Sequence, residues 1–171
     1  EPSHWLAKYG REKLGVDTIQ GTLHTAHYPA NSFDVVTFWD VLEHVPDPTQ
    51  DLKEAHRILK PGGLLVVNYP NFGSKLARVA GRKWWFLLSV HLWYFTPKTI
   101  DDMLKRNDFT PFFSKRHWQK LNLGYLVFRI QPYSSALYKL ANSVVSGLRL
   151  QNQKITYYAS QSVVLARKKY N

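Results

Sequence analysis

"FDVVTFWDVLEHVPDPTQDLKEAHRILKPGGLLVVNYP", residues 33–70, decides the fold. "FDVVTFWDVL" is a β-branched and aromatic run without clean alternation, the pattern of a strand buried on both faces of a parallel sheet. It is expected in the middle of that sheet. "DPTQDLKEAHRILKPGG" then offers Asp47 as N-cap, Pro48 at the first helical position, Leu52, Ala55, Ile58 and Leu59 on one face, and Gly62-Gly63 after the end. A second apolar strand, "LLVVNYP", follows at once. Strand, helix and strand with short loops make a crossover unit, so the fold class is α/β, with helices on a parallel sheet.

Upstream, "SHWLAKYGREKLG" has Trp5, Leu6, Tyr9 and Leu14 at helical spacing, which predicts a helix from about Ser3 to Leu14 with Gly15 as its stop. "VDTIQG" (16–21) reads as a short strand and "YPANS" (28–32) as a turn. Downstream, residues 72–95 form an aromatic, lid-like insertion, longer than an ordinary loop and too rich in rings to be disordered. "TPKTIDDMLKRNDF" predicts a helix capped by Thr96 before Pro97, and "FTPFFSKRHW" a strand. Helical segments broken at Pro132 and a last strand, "SQSVVLARKK", complete a single, partial domain over 1–171, with a helical insertion of unassigned role at 118–159.

The chain has 171 residues, 44% hydrophobic and 15% aromatic, enough for a sizeable core. It has no cysteine, which excludes thiolate metal sites and cysteine nucleophiles and favours a cytoplasmic setting. The longest apolar stretch, "WWFLLSVHLWYF" (84–95), is short of the roughly 20 residues that span a bilayer. Net charge is +11 and uneven: residues 1–70 hold 6 Lys/Arg against 9 Asp/Glu, and 71–171 hold 17 against 3. Either the second part is a solvated basic face, or its partner is anionic: a charged substrate, a membrane surface or nucleic acid.

Ligands of open α/β sheets bind at the carboxyl ends of the strands. Asp40, Glu43 and His44 stand at one such end, and Asn68, Tyr69 and Asn71 at the next. Taken singly, each has a plain structural reading: a cap, a surface charge, a core histidine.

Together, "FDVVTFWDVLEHVPDPTQDLKEAHRILKPGGLLVVNYPN" resembles the second half of a class I S-adenosylmethionine-dependent methyltransferase of the small-molecule type, whose pattern runs FD, apolar strand, DVLEH, helix, LKPGG, apolar strand, PN. "HLWYFTPKTIDDMLKRNDF" is similar to the segment that follows in that family, with Asn107-Asp108-Phe109 in place of Ala-Gly-Phe. The likeness covers residues 1–117 and a final strand at 160–168. The family's sheet order is 3-2-1-4-5-7-6, and its glycine-rich E/D-x-G-x-G-x-G loop would precede Glu1. A sheet lacking its first strand and that loop is therefore expected, with an exposed edge on "FDVVTFWD", in a fragment of a longer chain that by itself binds cofactor poorly and is inactive.

The resemblance implies S-adenosylmethionine as cofactor and no metal. It places Glu1 on the ribose, Thr22-Leu23 near the adenine, and Trp39, Asp40 and Glu43 along the cofactor. Thr22 stands where the family has Asp, which weakens the contact to the adenine amine. His44 and His91 are the candidate bases, although His91 reads equally as a stacked interior histidine. Trp84, Trp85, Trp93 and Tyr94, with Asn68, are the candidate substrate contacts. The rings form a lid, a core cover or an interfacial patch with Arg82 and Lys83 at lipid headgroups. The implied reaction is methyl transfer to a small-molecule, lipid-linked or sugar-type acceptor, anionic ones included. The alternative is a non-catalytic module contacting an anionic partner; nucleic acid suits it poorly, because the aromatic residues lie in apolar runs.

Overall fold

The computed structural model describes residues 1–170. The elements are α1 (His4–Leu14), β1 (Phe33–Trp39), α2 (Pro48–Ile58), β2 (Leu59–Pro70), α3 (Lys75–Ala80), a 3-10 turn (Gly81–Lys83), α4 (Pro97–Arg106), β3 (Phe109–Asn122), α5 (Leu123–Phe128), α6 (Ser135–Gly147) and β4 (Lys154–Lys168). The sheet order is β1-β2-β4-β3, which corresponds to the 4-5-7-6 part of the order that the resemblance implied. The described residues divide into two compact units, 1–115 with 162–170, and 116–161.

In the first unit, local chemistry fixes the helices as the sequence predicts. Ser3 caps α1 by accepting from the Leu6 amide, and Gly15 ends it in the left-handed region at φ 63°. The Asp47 carboxylate accepts from the Thr49 and Gln50 amides ahead of Pro48, and α2 turns Leu52, Ala55 and Ile58 inward. Thr96 and Thr99 form a reciprocal capping box on α4, which buries Ile100 and Leu104. Leu52, Ala55, Ile100 and Leu104 meet Phe38, Leu65, Val67, Tyr69, Phe95, Phe109 and Val164 in one core.

β1 and β2 pair in parallel from Val35 opposite Leu64 to Trp39 opposite Asn68. The register shifts between Phe33 and Val35, which lets Lys60–Gly63 bow out within β2. Two expectations need correction. First, β1 lies at the sheet edge and not in its middle: Val35 is 48% and Trp39 50% exposed. No strand among the described residues covers that side, so the apolar edge is open. We expect Val35→Lys to suppress self-association of the 171-residue chain in light scattering while leaving its Tm unchanged. A variant that aggregates as readily as the parent would show that the edge is not the sticky surface.

Second, 16–21 is not a strand. Its one sheet-like contact is with Glu1, whose amine donates to the Ile19 carbonyl and whose carbonyl accepts from the Gly21 amide. That is a single rung, too short for a strand.

Asn107-Asp108-Phe109 also has a structural meaning. Asp108 sits at φ 59°, the conformation that a glycine adopts without penalty, and aspartate tolerates it better than most side chains. Asp108→Gly is expected to leave thermal stability nearly unchanged, and Asp108→Val to lower it by about 1–3 kcal/mol. Equal losses from both in a denaturant titration would contradict this.

The second unit contains the inner arms of β3 and β4 with α5 and α6. Trp118 packs on Tyr158 at 5.6 Å between ring centroids, Arg116 lies over the same Tyr158 ring, and the Tyr157 hydroxyl donates to the Gln119 side-chain oxygen at 2.6 Å. The chain breaks between the helices, around Pro132, as the sequence predicts. Phe128 and Tyr138 meet edge to face, and Val127 and Val145 are buried.

Candidate functional site

β1 ends at Trp39, and Asp40 turns the chain sharply with a left-handed φ of 51°. The turn carries Leu42 into the core and Glu43 with it: Glu43 is 1% exposed, and neither carboxylate oxygen has a hydrogen-bond partner. Burial pushes its carboxyl up to about 7 against a weaker pull from its own backbone N–H, and the nearby Asp40 charge adds to the rise. A buried, unpaired carboxylate is costly and marks a functional site more often than a structural one.

The 72–95 segment closes over this end of the sheet. Its two ends are pinned by a bridge between Asn71 and Phe95. Its returning stretch is held by the Glu43 carbonyl, which accepts from the Leu92 and Trp93 amides at 2.8 and 3.2 Å. The Trp93 indole donates to the Val45 carbonyl at 2.9 Å. His91 is thereby set against His44, with ring centroids 4.6 Å apart and planes at 73°.

Both imidazoles are oriented by the backbone. His44 Nδ1 lies 3.1 Å from the Val90 carbonyl and His91 Nδ1 2.8 Å from the Phe86 carbonyl. A carbonyl only accepts, so each Nδ1 carries a proton, and in the neutral imidazole it is Nε2 that holds the lone pair. Burial lowers the His91 pKa first, the charge of His44 second. One ligand atom from each of Glu43, His44 and His91 falls within 4.8 Å of the others. That spacing suits handing on a proton, and the donor set would equally accept a cation.

The other site residues fall as follows. Glu1 is exposed, and its carboxylate accepts from the Ser3 amide at 2.9 Å. Thr22 is engaged in a turn with Thr25, and Leu23 packs against the core. Asn68 is buried beside β4, where its amide reaches the Ser162 carbonyl at 3.4 Å while its Oδ1 has no partner. Trp84 is 2% exposed among Phe72, Phe86 and Tyr94, and its indole N–H is unpaired. Trp85 is half-buried beside Phe86. The Tyr94 hydroxyl donates to the Leu88 carbonyl. Trp84 thus lies in the packed body of the segment, while Trp93 is exposed on its outer face with Leu87, Leu88, Val90 and Leu92. The carbonyls of Phe86 and Val90 that fix the imidazoles carry no sequence signal, because any residue supplies them.

At one strand end, then, stand two carboxylates and two oriented imidazoles. An acceptor-rich set of this kind suits a cofactor with a sulfonium and an ammonium group, as S-adenosylmethionine has. The described residues contain no glycine-rich loop of the kind that faces such a cofactor.

Comparison with known proteins agrees. A family profile described as a methyltransferase domain matches residues 1–112. The ubiquinone biosynthesis O-methyltransferase of Ruegeria pomeroyi is 27% identical over 169 residues, covering 74% of this chain and 67% of the relative. The demethylmenaquinone methyltransferase of Listeria welshimeri is 44% identical over 67 residues, 36% of this chain and 28% of the relative. The chain therefore spans between about a quarter and two thirds of these curated relatives. Among solved structures, an S-adenosylmethionine-dependent methyltransferase of Thermotoga maritima superposes with a TM-score of 0.64 at 24% identity, over 99% of this chain and 71% of that one. One from Archaeoglobus fulgidus gives 0.57 at 14%, over 98% and 74%. With its profile match over more than half its length, its sheet order and its DVLEH strand end, the chain belongs to the methyltransferase-domain family of class I S-adenosylmethionine-dependent enzymes.

Proposed function

We propose that this chain supplies the acceptor-side half of a methyltransferase site, acting on a small molecule with a ring or lipid-linked body. The observation that carries this reading is the trio Glu43, His44 and His91, with both Nδ1 atoms tied to carbonyls and Glu43 buried without a partner. The relatives' names refer to quinone precursors, which are ring acceptors, and the ring-rich 72–95 segment suits such a body.

When bound, S-adenosylmethionine supplies an electrophilic methyl group on a sulfonium. Glu1 would hold its ribose, Leu23 would lie by the adenine, and Trp39 and Asp40 would border its methionine end. His44, the exposed member of the pair, takes the proton of the acceptor on Nε2. Glu43 and His91 behind it spread the resulting charge, and a carboxyl that titrates near neutrality is matched to that exchange. The 72–95 segment keeps water from the reacting atoms.

The test is calorimetry of the native, full-length protein with S-adenosylmethionine, followed by transfer of labelled methyl to a panel of ring and lipid-linked acceptors. Micromolar binding is expected. Failure to bind the cofactor would end the enzyme reading and leave a non-catalytic module contacting an anionic partner.

A further inference from the structure

Among the described residues the sharpest oddity outside the site is α6. Its inward side carries Val145, which is buried, with Tyr138, Ala141 and Asn142 half-buried. The opposite face should then be polar. Instead Leu137, Leu140, Val144 and Leu148, at i, i+3, i+7 and i+11, form an aliphatic stripe along the solvent side, each more than half exposed. Tyr133 ahead of the helix is 78% exposed.

The unit that carries the stripe has a one-sided charge. Residues 116–161 include six Lys/Arg (Arg116, Lys120, Arg129, Lys139, Arg149, Lys154) and no Asp or Glu, and no acidic residue occurs after Asp108. An exposed apolar stripe on an acid-free cationic unit matches one kind of surface, a bilayer with anionic headgroups, where leucines enter the acyl boundary and Lys or Arg stay at the phosphates. Two copies of the unit would bring like charges together. Nucleic acid would satisfy the cations and leave the aliphatic stripe wet.

We propose that 116–161 is a peripheral docking unit for anionic membranes, with the α6 stripe as its inserted face. It lies on the surface and does not cross, since no helix among the described residues is long and apolar enough to span. The assignment stands whether or not the chain transfers methyl groups.

The probe is co-sedimentation of the 171-residue chain with phosphatidylcholine vesicles, with and without about one third phosphatidylglycerol. Binding is expected to be at least about tenfold tighter to the anionic vesicles and to weaken in high salt. The triple variant Leu140→Ser, Val144→Ser, Leu148→Ser should lose about tenfold with an unchanged circular dichroism spectrum, because all three side chains are exposed. Should that variant misfold, the charge reversal Lys139→Glu with Arg149→Glu decides by the same readout. The proposal is overturned by equal binding to both vesicle types or by serine and charge variants that bind like the parent. It is overturned equally if the stripe instead mediates dimerisation in light scattering, or if an oligonucleotide is retained where anionic vesicles are not.

Discussion

Glu43→Gln is expected to raise the Tm of the protein at pH 8 by on the order of 5–10 °C and to leave it unchanged near pH 4.5. The Glu43 carboxyl is raised from 4.5 to about 7 in the folded chain, chiefly because burial penalises the ion. A folded pKa above the unfolded one means that the native state binds the proton more tightly. The group's contribution to stability is therefore complete below about pH 4.5, falls as pH rises towards 7, and is absent above it. The loss is up to about 3 kcal/mol, at 1.36 kcal/mol per unit. Glutamine keeps the shape and never ionises, so the variant should escape the loss at high pH and gain nothing at low pH. Thermal melts of both proteins across pH 4.5–8 measure the difference directly. A pH-independent gap between them would mean that Glu43 is ionised and compensated in the native protein.

A side chain that makes its own protein less stable at neutral pH invites a functional reason. Other acidic residues of the chain are handled differently: Asp47 caps a helix, and Glu54 and Asp102 are ion-paired at the surface. Glu43 alone among the described carboxylates combines near-complete burial with two unpartnered oxygens. It sits where the strand-end rule places ligands. Stability and chemistry thus point to one residue by separate routes, since the first rests on desolvation and the second on position beside His44 and His91.

The sequence displays some of this and conceals the rest for physical reasons. Caps and helix faces are local, so α1, α2 and α4 are legible from Ser3, Asp47-Pro48 and Thr96-Pro97. The parallel pairing of β1 with β2 follows from strand, helix and strand in succession. The position of β1 at the edge does not, because burial on both faces depends on which neighbours exist, and an apolar run reads the same either way. The same limit explains 16–21, where strand-forming residues pair, among the described residues, with Glu1 alone. In the site, Asp40, Glu43 and His44 are visible as a motif. Their meeting with His91 is not, since it depends on backbone amides of Leu92 and Trp93 reaching the Glu43 carbonyl across nearly fifty residues. Trp84 is the reverse case: a tryptophan-rich run suggests a lid, and the structure packs this ring inside the segment.

His44→Ala in the full-length enzyme is expected to lower kcat by about 10²–10⁴ while leaving cofactor affinity within a few-fold, the range for loss of a positioned general base. His44 is the exposed imidazole of the pair, and its Nδ1 is committed to the Val90 carbonyl, so only Nε2 can meet the acceptor. His91→Asn should cost less, because His91 is buried and acts on His44 and not on the acceptor. Its signature is a shifted pH profile: burial and the neighbouring imidazole lower the His91 pKa, and removing it alters the limb of kcat set by the base without moving KM. Imidazole added to His44→Ala should restore part of the rate and should do nothing for His91→Asn, whose cavity is closed by Phe86 and Tyr94. Should His44→Ala turn over at the parental rate, the proton leaves by another path and the pair is a structural clasp for the 72–95 segment. Should His91→Asn be the one rescued, the roles of the two imidazoles are exchanged.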